Sequence, residues 1–142
     1  MCLFNAKKIE QEGEVTCYKI LIRFDFDYND VYRSPFCIGT SWKVGETKTA
    51  FFKQLFPCPT VVNKDGSVES GAFHTFKTWD DAVKYSGWFA GKLFIAECVI
   101  PEDNEYLYEG DVIYDEGRCS LYGYASQKLK VVSVTPVSVW DL

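Results

Sequence analysis

The sequence predicts an α+β domain in which a twisted, mainly antiparallel β-sheet of five to seven strands packs with one principal helix. Three observations predict this fold class. The chain has 142 residues, which is the usual length of one domain, and its hydrophobic share of 47% is enough to form a core. Aromatic residues, which favour strands, make up 17% of the chain. We therefore take 1–142 as a single domain and expect the polar segment 1–14 to be a loosely ordered arm.

Two segments carry the strongest strand patterns. Residues 16–24 alternate at period two, so that Tyr18 and Ile20 share one face and Lys19 lies on the other. Residues 92–100 are apolar on both faces, which is typical of a central strand, and Pro101 ends the run. Further strands are predicted at 36–42, 47–52, 73–76 and 128–134, with one or two more in 106–114.

One segment has a clear helix start. Thr78 is a good N-cap residue, and Asp81 follows three residues later as in a capping box. Trp79 and Val83 then share a face at helical spacing, so we expect both to pack into the core. The long connection 53–71 contains two prolines and an Asn-Lys-Asp-Gly turn, and loops of this length are usually functional or mobile.

Charge and cysteine content restrict the function classes. The net charge is −5, whereas binding of nucleic acid over a broad surface requires clustered Lys and Arg, so no nucleic-acid partner is expected. No signal peptide and no apolar run of membrane-spanning length is visible, which predicts a cytoplasmic protein without a membrane partner. The six cysteines form no C-x-x-C pair and there is a single histidine, so we expect reduced thiols, no metal site and no cofactor.

Negative charge is concentrated in one segment. Residues 97–116 contain eight acidic side chains and no Lys or Arg. A solvated loop is the simplest interpretation, and a surface for a cation or a basic partner is the alternative.

Two polar residues interrupt otherwise apolar strands. Glu97 lies within the predicted central strand, where a carboxylate needs a partner or a pocket. His74, in the strand before the helix, is the natural candidate for a general acid or base. Because short crossovers leave their strands near each other, we expect His74 and Glu97 on adjacent elements of one cleft. Glu97 at a sheet edge and a structural His74 are the alternatives.

Three more residues complete the predicted cleft. Arg33 stands in a proline-stiffened loop, where its guanidinium could hold an anionic group, although an ordinary solvated arginine is the simpler alternative. Tyr18 and Lys19 belong to the first strong strand. The predicted ligand-binding residues are thus Tyr18, Lys19, Arg33, His74 and Glu97, with His74 and Glu97 as the catalytic candidates if the protein is an enzyme.

Several short motifs follow one another along the chain. In order they are Cys17-Tyr18-Lys19, Tyr32-Arg33-Ser34-Pro35-Phe36, Trp42-Lys43-Val44-Gly45-Glu46, Gly71-Ala72-Phe73-His74-Thr75-Phe76, Asp80-Asp81-Ala82, Ala96-Glu97-Cys98-Val99-Ile100-Pro101 and Tyr124-Ala125-Ser126-Gln127-Lys128-Leu129. Their order resembles that of a set of small proteins of phages and gut bacteria. The resemblance covers roughly residues 16–134, and that family has no assigned activity.

The layout also resembles the ADP-ribosyltransferase-like fold, a split β-sandwich that holds a dinucleotide. The resemblance implies that His74 and Glu97 are counterparts of that fold's functional residues. Tyr18 and Lys19, however, stand where its enzymes carry a His or Arg on the first strand.

Together these observations predict a non-enzymatic accessory or binding protein, of phage or prophage origin, whose cleft takes a nucleotide-like small molecule or contacts a host protein. One alternative is an ADP-ribosyltransferase-like enzyme acting on NAD or a nucleotide. Another is a protein–protein interaction module that uses exposed aromatic residues and the acidic segment 97–116. The sequence predicts no oligomeric state.

Overall fold

A computed structural model describes residues 3–35, 37–50, 60–65, 68–70, 72–87, 92–114 and 119–137. Within these ranges the chain forms twelve strands and one helix. The elements run in the order β1 (Leu3–Lys8), β2 (Val15–Ile22), β3 (Tyr32–Ser34), β4 (Cys37–Trp42), β5 (Thr47–Thr49), β6 (Thr60–Asn63), β7 (Val68–Ser70), β8 (Phe73–Phe76), α1 (Trp79–Ser86), β9 (Leu93–Ile100), β10 (Leu107–Tyr114), β11 (Cys119–Ser126) and β12 (Lys128–Pro136).

The strands belong to one sheet of order β5-β12-β9-β2-β8-β11-β10-β1-β6-β7, with β3 beside β2 and β4 beside β3. The ladders are antiparallel except for β1 with β6, which is parallel. Only Gln127 separates β11 from β12, yet β9, β2 and β8 lie between those two strands in the order. The sheet must therefore curl until its β11 and β12 portions meet.

The two faces of the curled sheet bury separate cores. The first core lies on the face covered by α1 and includes Ile20, Phe76, Ala82 and Ile95. The second core lies on the opposite face and includes Leu21, Trp42, Phe94 and Leu129. Alternate residues of β2 and β9 enter opposite cores, which explains why β9 is apolar at almost every position.

The structure confirms the fold class, a single mainly antiparallel α+β domain with one helix, but the strand count of five to seven is wrong. The additional strands are mostly short segments, such as β3 and β7, that the sequence pattern assigns to loops. Residues 3–8 are likewise not an arm but strand β1, which is paired between β10 and β6. Leu3 is fully buried and anchors this strand in the first core.

The connection predicted at 53–71 contains two of these strands, β6 and β7. Its residues 53–59, 66–67 and 71 lie outside the described residues. Part of the connection is therefore ordinary sheet, and its predicted functional role stays a prediction.

The helix begins as the sequence predicts, but it presents a different face to the core. The Thr78 hydroxyl accepts the backbone N–H of Asp81 at 3.1 Å, the N-cap bond expected from the pattern. The helix buries Ala82 and Ser86, and Val83 packs partly against the first core. Trp79 remains 37% exposed and touches the edge of Tyr18 at a centroid distance of 6.1 Å, so its predicted core position is wrong.

No helix in the described part of the chain combines the length and apolar character needed to cross a membrane. Two cysteines whose side chains the structure describes, Cys17 and Cys98, are free and buried. They lie directly opposite each other on the neighbouring strands β2 and β9.

Candidate functional site

The five residues predicted to line one cleft fall into three environments. Tyr18, His74 and Glu97 lie on the face of the sheet that α1 covers, because their strand neighbours enter the first core. Lys19 points to the opposite face, toward the second core. Arg33 lies on β3, where it is bound to a loop carboxylate.

His74 and Glu97 share a face of the sheet, but the prediction that they lie on adjacent elements is wrong. Strand β2 separates β8 from β9, and Tyr18 lies opposite both Glu97 and Phe76. His74 lies two residues before Phe76 on β8. It is only 2% exposed, and its Nδ1 is 3.2 Å from the Ala72 carbonyl oxygen. Helix α1 connects β8 to β9, and β2 lies between these two strands in the sheet. Closeness in sequence alone does not reveal the intervening strand.

Lys19 has a structural environment. Its ammonium donates to the His74 carbonyl oxygen at 2.9 Å and lies 5.7 Å from the ring centroid of the buried Trp42. A cation over an indole face is favourable, and the bond to β8 ties two neighbouring strands together. Lys19 therefore supports the second core.

Arg33 organises the loop between β2 and β3. Its guanidinium binds both carboxylate oxygens of Asp27, with Nη2 at 2.8 Å from Oδ1 and Nε at 3.0 Å from Oδ2. Asp27 also accepts the backbone N–H of Phe24 at 3.2 Å. The hydrogen bonds from Arg33 hold the pKa of Asp27 below its usual range.

This ordered loop displays two aromatic rings to solvent. Phe26 is 78% exposed and Tyr28 is 82% exposed, although Phe26 stacks on Phe24 at a centroid distance of 5.2 Å. Large apolar side chains held in water often mark contact surfaces. Phe26 and Tyr28 are therefore candidate contact residues for the hypothesis of an interaction module that uses exposed aromatics.

A groove lies at the opposite end of β2, between residues 8–11 and residues of the 102–107 segment. Its volume is about 380 Å³. Glu10, Glu102 and Glu105 line it together with a single basic residue, Lys8. Its excess of carboxylates makes it suited to a cationic group rather than to a phosphate.

A network of side-chain amides beneath the groove fixes its walls. Gln11 donates from Nε2 to the carbonyl oxygens of Ile100 at 2.9 Å and Pro101 at 2.8 Å. Asn104 donates to Gln11 Oε1 at 3.2 Å and to the Pro101 carbonyl, and its Oδ1 accepts the backbone N–H of Lys128 at 2.6 Å. The groove is therefore tied to the end of β9 and the start of β12.

A third amide extends this network. Gln127, the residue between β11 and β12, accepts the Glu105 backbone N–H through Oε1 at 2.9 Å. Its own backbone N–H donates to the Tyr106 carbonyl at 3.4 Å. Two hydrogen bonds thus join the bend at Gln127 to the groove wall at 105–106.

The acidic segment 97–116 is not one solvated loop. Asp103 binds Lys128 at 2.7 Å, Glu109 lies 3.6 Å from Lys7, and Asp111 accepts from Asn5 at 3.2 Å. Glu97 lies within β9, and 115–116 lie outside the described residues. Glu102 and Glu105 remain as the members of this segment that line the groove.

The sequence pattern did not identify Gln11 or Asn104. The signal available was weak, since an Asn three residues after Pro101 is common in turns. Within the described ranges, no three His, Cys, Asp or Glu side chains come together as a metal-binding group.

The chain matches no protein-family model, no curated protein and no solved structure. The resemblance to small phage and gut-bacterial proteins and to the ADP-ribosyltransferase-like fold therefore stays a prediction.

Proposed function

We propose that this protein is a non-enzymatic binding protein that holds a Lys- or Arg-bearing segment of a partner protein in the groove between 8–11 and 102–107. The observation that carries the proposal is the groove with three carboxylates and one ammonium in its lining. It develops the hypothesis that the acidic segment serves a basic partner.

The lining suits a long basic side chain in two ways. Carboxylates of Glu10, Glu102 and Glu105 attract an ammonium or guanidinium, and Coulomb attraction is stronger in a recess than on an open surface. Ile9 and Leu107 add apolar surface against which the aliphatic stem of a Lys or Arg can pack.

The ordered amide network favours binding further. Hydrogen bonds of Gln11 and Asn104 link three chain segments, at 11, 100–104 and 128, and so hold the groove in one conformation. A site whose walls are held by such bonds loses little conformational entropy when a ligand enters, so more of the contact energy contributes to affinity.

A nucleotide is a less favourable ligand for this groove, because its phosphates would meet three carboxylates. A nucleotide-like ligand at Tyr18, Lys19, Arg33, His74 and Glu97 stays a prediction, as does transferase activity.

The test is binding of a fluorescently labelled Lys- and Arg-rich peptide, measured by anisotropy in a salt series. The control peptide has Gln at each basic position. We expect binding of the basic peptide alone, with an affinity that falls as salt rises, because exposed ion pairs are screened.

Matched protein variants locate the site. Glu102→Gln removes one negative charge from the groove, and Asp25→Asn removes one from the exposed loop at the other end of β2. We expect Glu102→Gln to weaken binding roughly two- to fivefold, the value of one exposed ion pair, and Asp25→Asn to leave it unchanged. Equal effects of both variants, or no binding at low salt, would refute the proposal.

A further inference from the structure

Strand β12 is paired over most of its length on one side and only near its start on the other. Its ladder with β9 runs from Lys130 to Pro136. On its other side β5 pairs with residues 128–130, and the turn after β4 adds one more pair of bonds, from Gly45 N–H to the Val131 carbonyl and from Val131 N–H to the Glu46 carbonyl. Beyond Val131, no strand in the described part of the chain pairs with this outer edge.

The exposure of the side chains along this edge is consistent with the absence of a described strand beside it. Val132 is 41% exposed, and Ser133, Thr135 and Pro136 are exposed as well. Val134 packs partly against the second core, so the strand is held in place from the inside.

The open edge lacks the charges that usually protect such strands. Natural proteins place Lys, Glu or Pro on exposed edges because unpaired peptide groups recruit other strands. Residues 131–135 are Val-Val-Ser-Val-Thr, with no charged side chain and high strand propensity. A bulge between Val131 and Ser133 and the missing N–H of Pro136 limit the recruiting stretch to 132–135.

These features favour an uncharged strand as the occupant, and a second copy of this chain supplies one. An antiparallel pair of identical strands is two-fold symmetric, so each copy satisfies the edge of the other and the contact closes. A basic or acidic partner segment would find no opposite charge along 131–135.

We propose that two copies of this chain pair their β12 strands antiparallel through residues 132–135 about a two-fold axis and form a weak dimer. This contact lies on a different surface from the groove of the proposed function and does not depend on it.

Size and charge set the strength of this dimer. Pairing four residues per copy covers far less than a standard interface, which places the dissociation constant on the order of 100 µM. Each copy carries a net charge of −5, so the copies repel each other at low ionic strength. Salt screens this repulsion within about 8 Å at physiological strength, so salt should strengthen the dimer whereas it weakens peptide binding in the groove.

Sedimentation velocity under reducing conditions, from roughly 10 to roughly 500 µM protein, tests the proposal. At that affinity about one-seventh of the chains should be dimeric at the lowest concentration and about three-quarters at the highest. Val132→Lys places like charges at the seam and should leave the chain monomeric throughout. Ile113→Lys, a matched control on β10 at a residue 44% exposed, adds the same charge away from the seam and should dimerise like the wild type.

Thr135→Lys repeats the test if Val132→Lys folds poorly. Hydrogen exchange at 132–135 should slow as concentration rises. A monomeric wild type at the highest concentration, or a dimer that Phe26→Ser disrupts and Val132→Lys does not, would overturn the proposal. Protection in the dilute monomer of those amides of 132–135 that do not bond to β9 would also overturn it, since another segment of the same chain would then cover the edge.

Discussion

Replacing Asn104 with Ala tests whether the amide network holds the groove together. The change removes the two donations to Gln11 Oε1 and the Pro101 carbonyl and the acceptor for the Lys128 backbone N–H. Because Asn104 is partly buried, water can replace some of these bonds but not all.

The magnitude follows from the number of bonds lost. Each net hydrogen bond contributes about 1 kcal/mol, so losing three of them should lower the free energy of unfolding by about 2–3 kcal/mol. With a urea dependence of about 1.5 kcal/mol per molar, the denaturation midpoint should fall by about 1.5–2 M.

Urea denaturation followed by tryptophan fluorescence measures this shift. Asn104→Asp is the matched control, because it keeps the acceptor for Lys128 and loses the donor, so its loss should be intermediate. The Ala variant should also bind the basic peptide more weakly although it removes no charge. A midpoint within about 0.3 M of the wild type would show that the network does not hold the groove walls in place.

Three further predictions concern other parts of the molecule. Burial raises the pKa of Cys17 to about 12 from 9.0. At pH 8 its thiol should therefore be alkylated about a thousandfold more slowly than a free thiol. Peptide mass spectrometry measures this rate, and rapid labelling of Cys17 in the native protein would contradict the prediction. Asp27 has a lowered pKa in the folded state, so its stabilisation is present above its unfolded pKa and is lost as pH falls below about 4. Urea melts between neutral and acidic pH should therefore show a shallower acid loss for Asp27→Asn, and parallel profiles would argue against the Arg33 bond as the cause. Gly123→Ala places a Cβ 2.7 Å from the Thr75 carbonyl and 3.0 Å from Val112 Cγ2, which should cost about 1–3 kcal/mol, whereas Gly87→Ala meets only an ordinary 3.5 Å contact and should be near neutral.

The sequence alone determined the elements whose signals are local. Alternation in 16–24 and the apolar run in 92–100 predicted β2 and β9, and Thr78 with Asp81 predicted the start of α1. These predictions succeed because side-chain periodicity and N-cap bonds involve residues a few positions apart.

The candidate site was not predictable in the same way. Of the five residues assigned to one cleft, Lys19 enters the face opposite Tyr18, and β2 separates His74 from Glu97. Each is unusual in its own strand, but only the strand order decides whether unusual residues meet.

Tertiary structure decided the groove and the edge of β12. Gln11 bonds to Ile100 across 89 positions, and Asn104 reaches Gln11 across 93 and Lys128 across 24. Strand β1 is stabilised because Leu3 is buried in a core made by strands distant in sequence. Among the described residues the outer edge of β12 is unpaired beyond Val131, because β5 begins only at Thr47 and the turn at Gly45 and Glu46 makes the last bonds. Such contacts depend on register and on the curl of the whole sheet, which arise from packing among all strands at once and leave no periodic trace in any one segment.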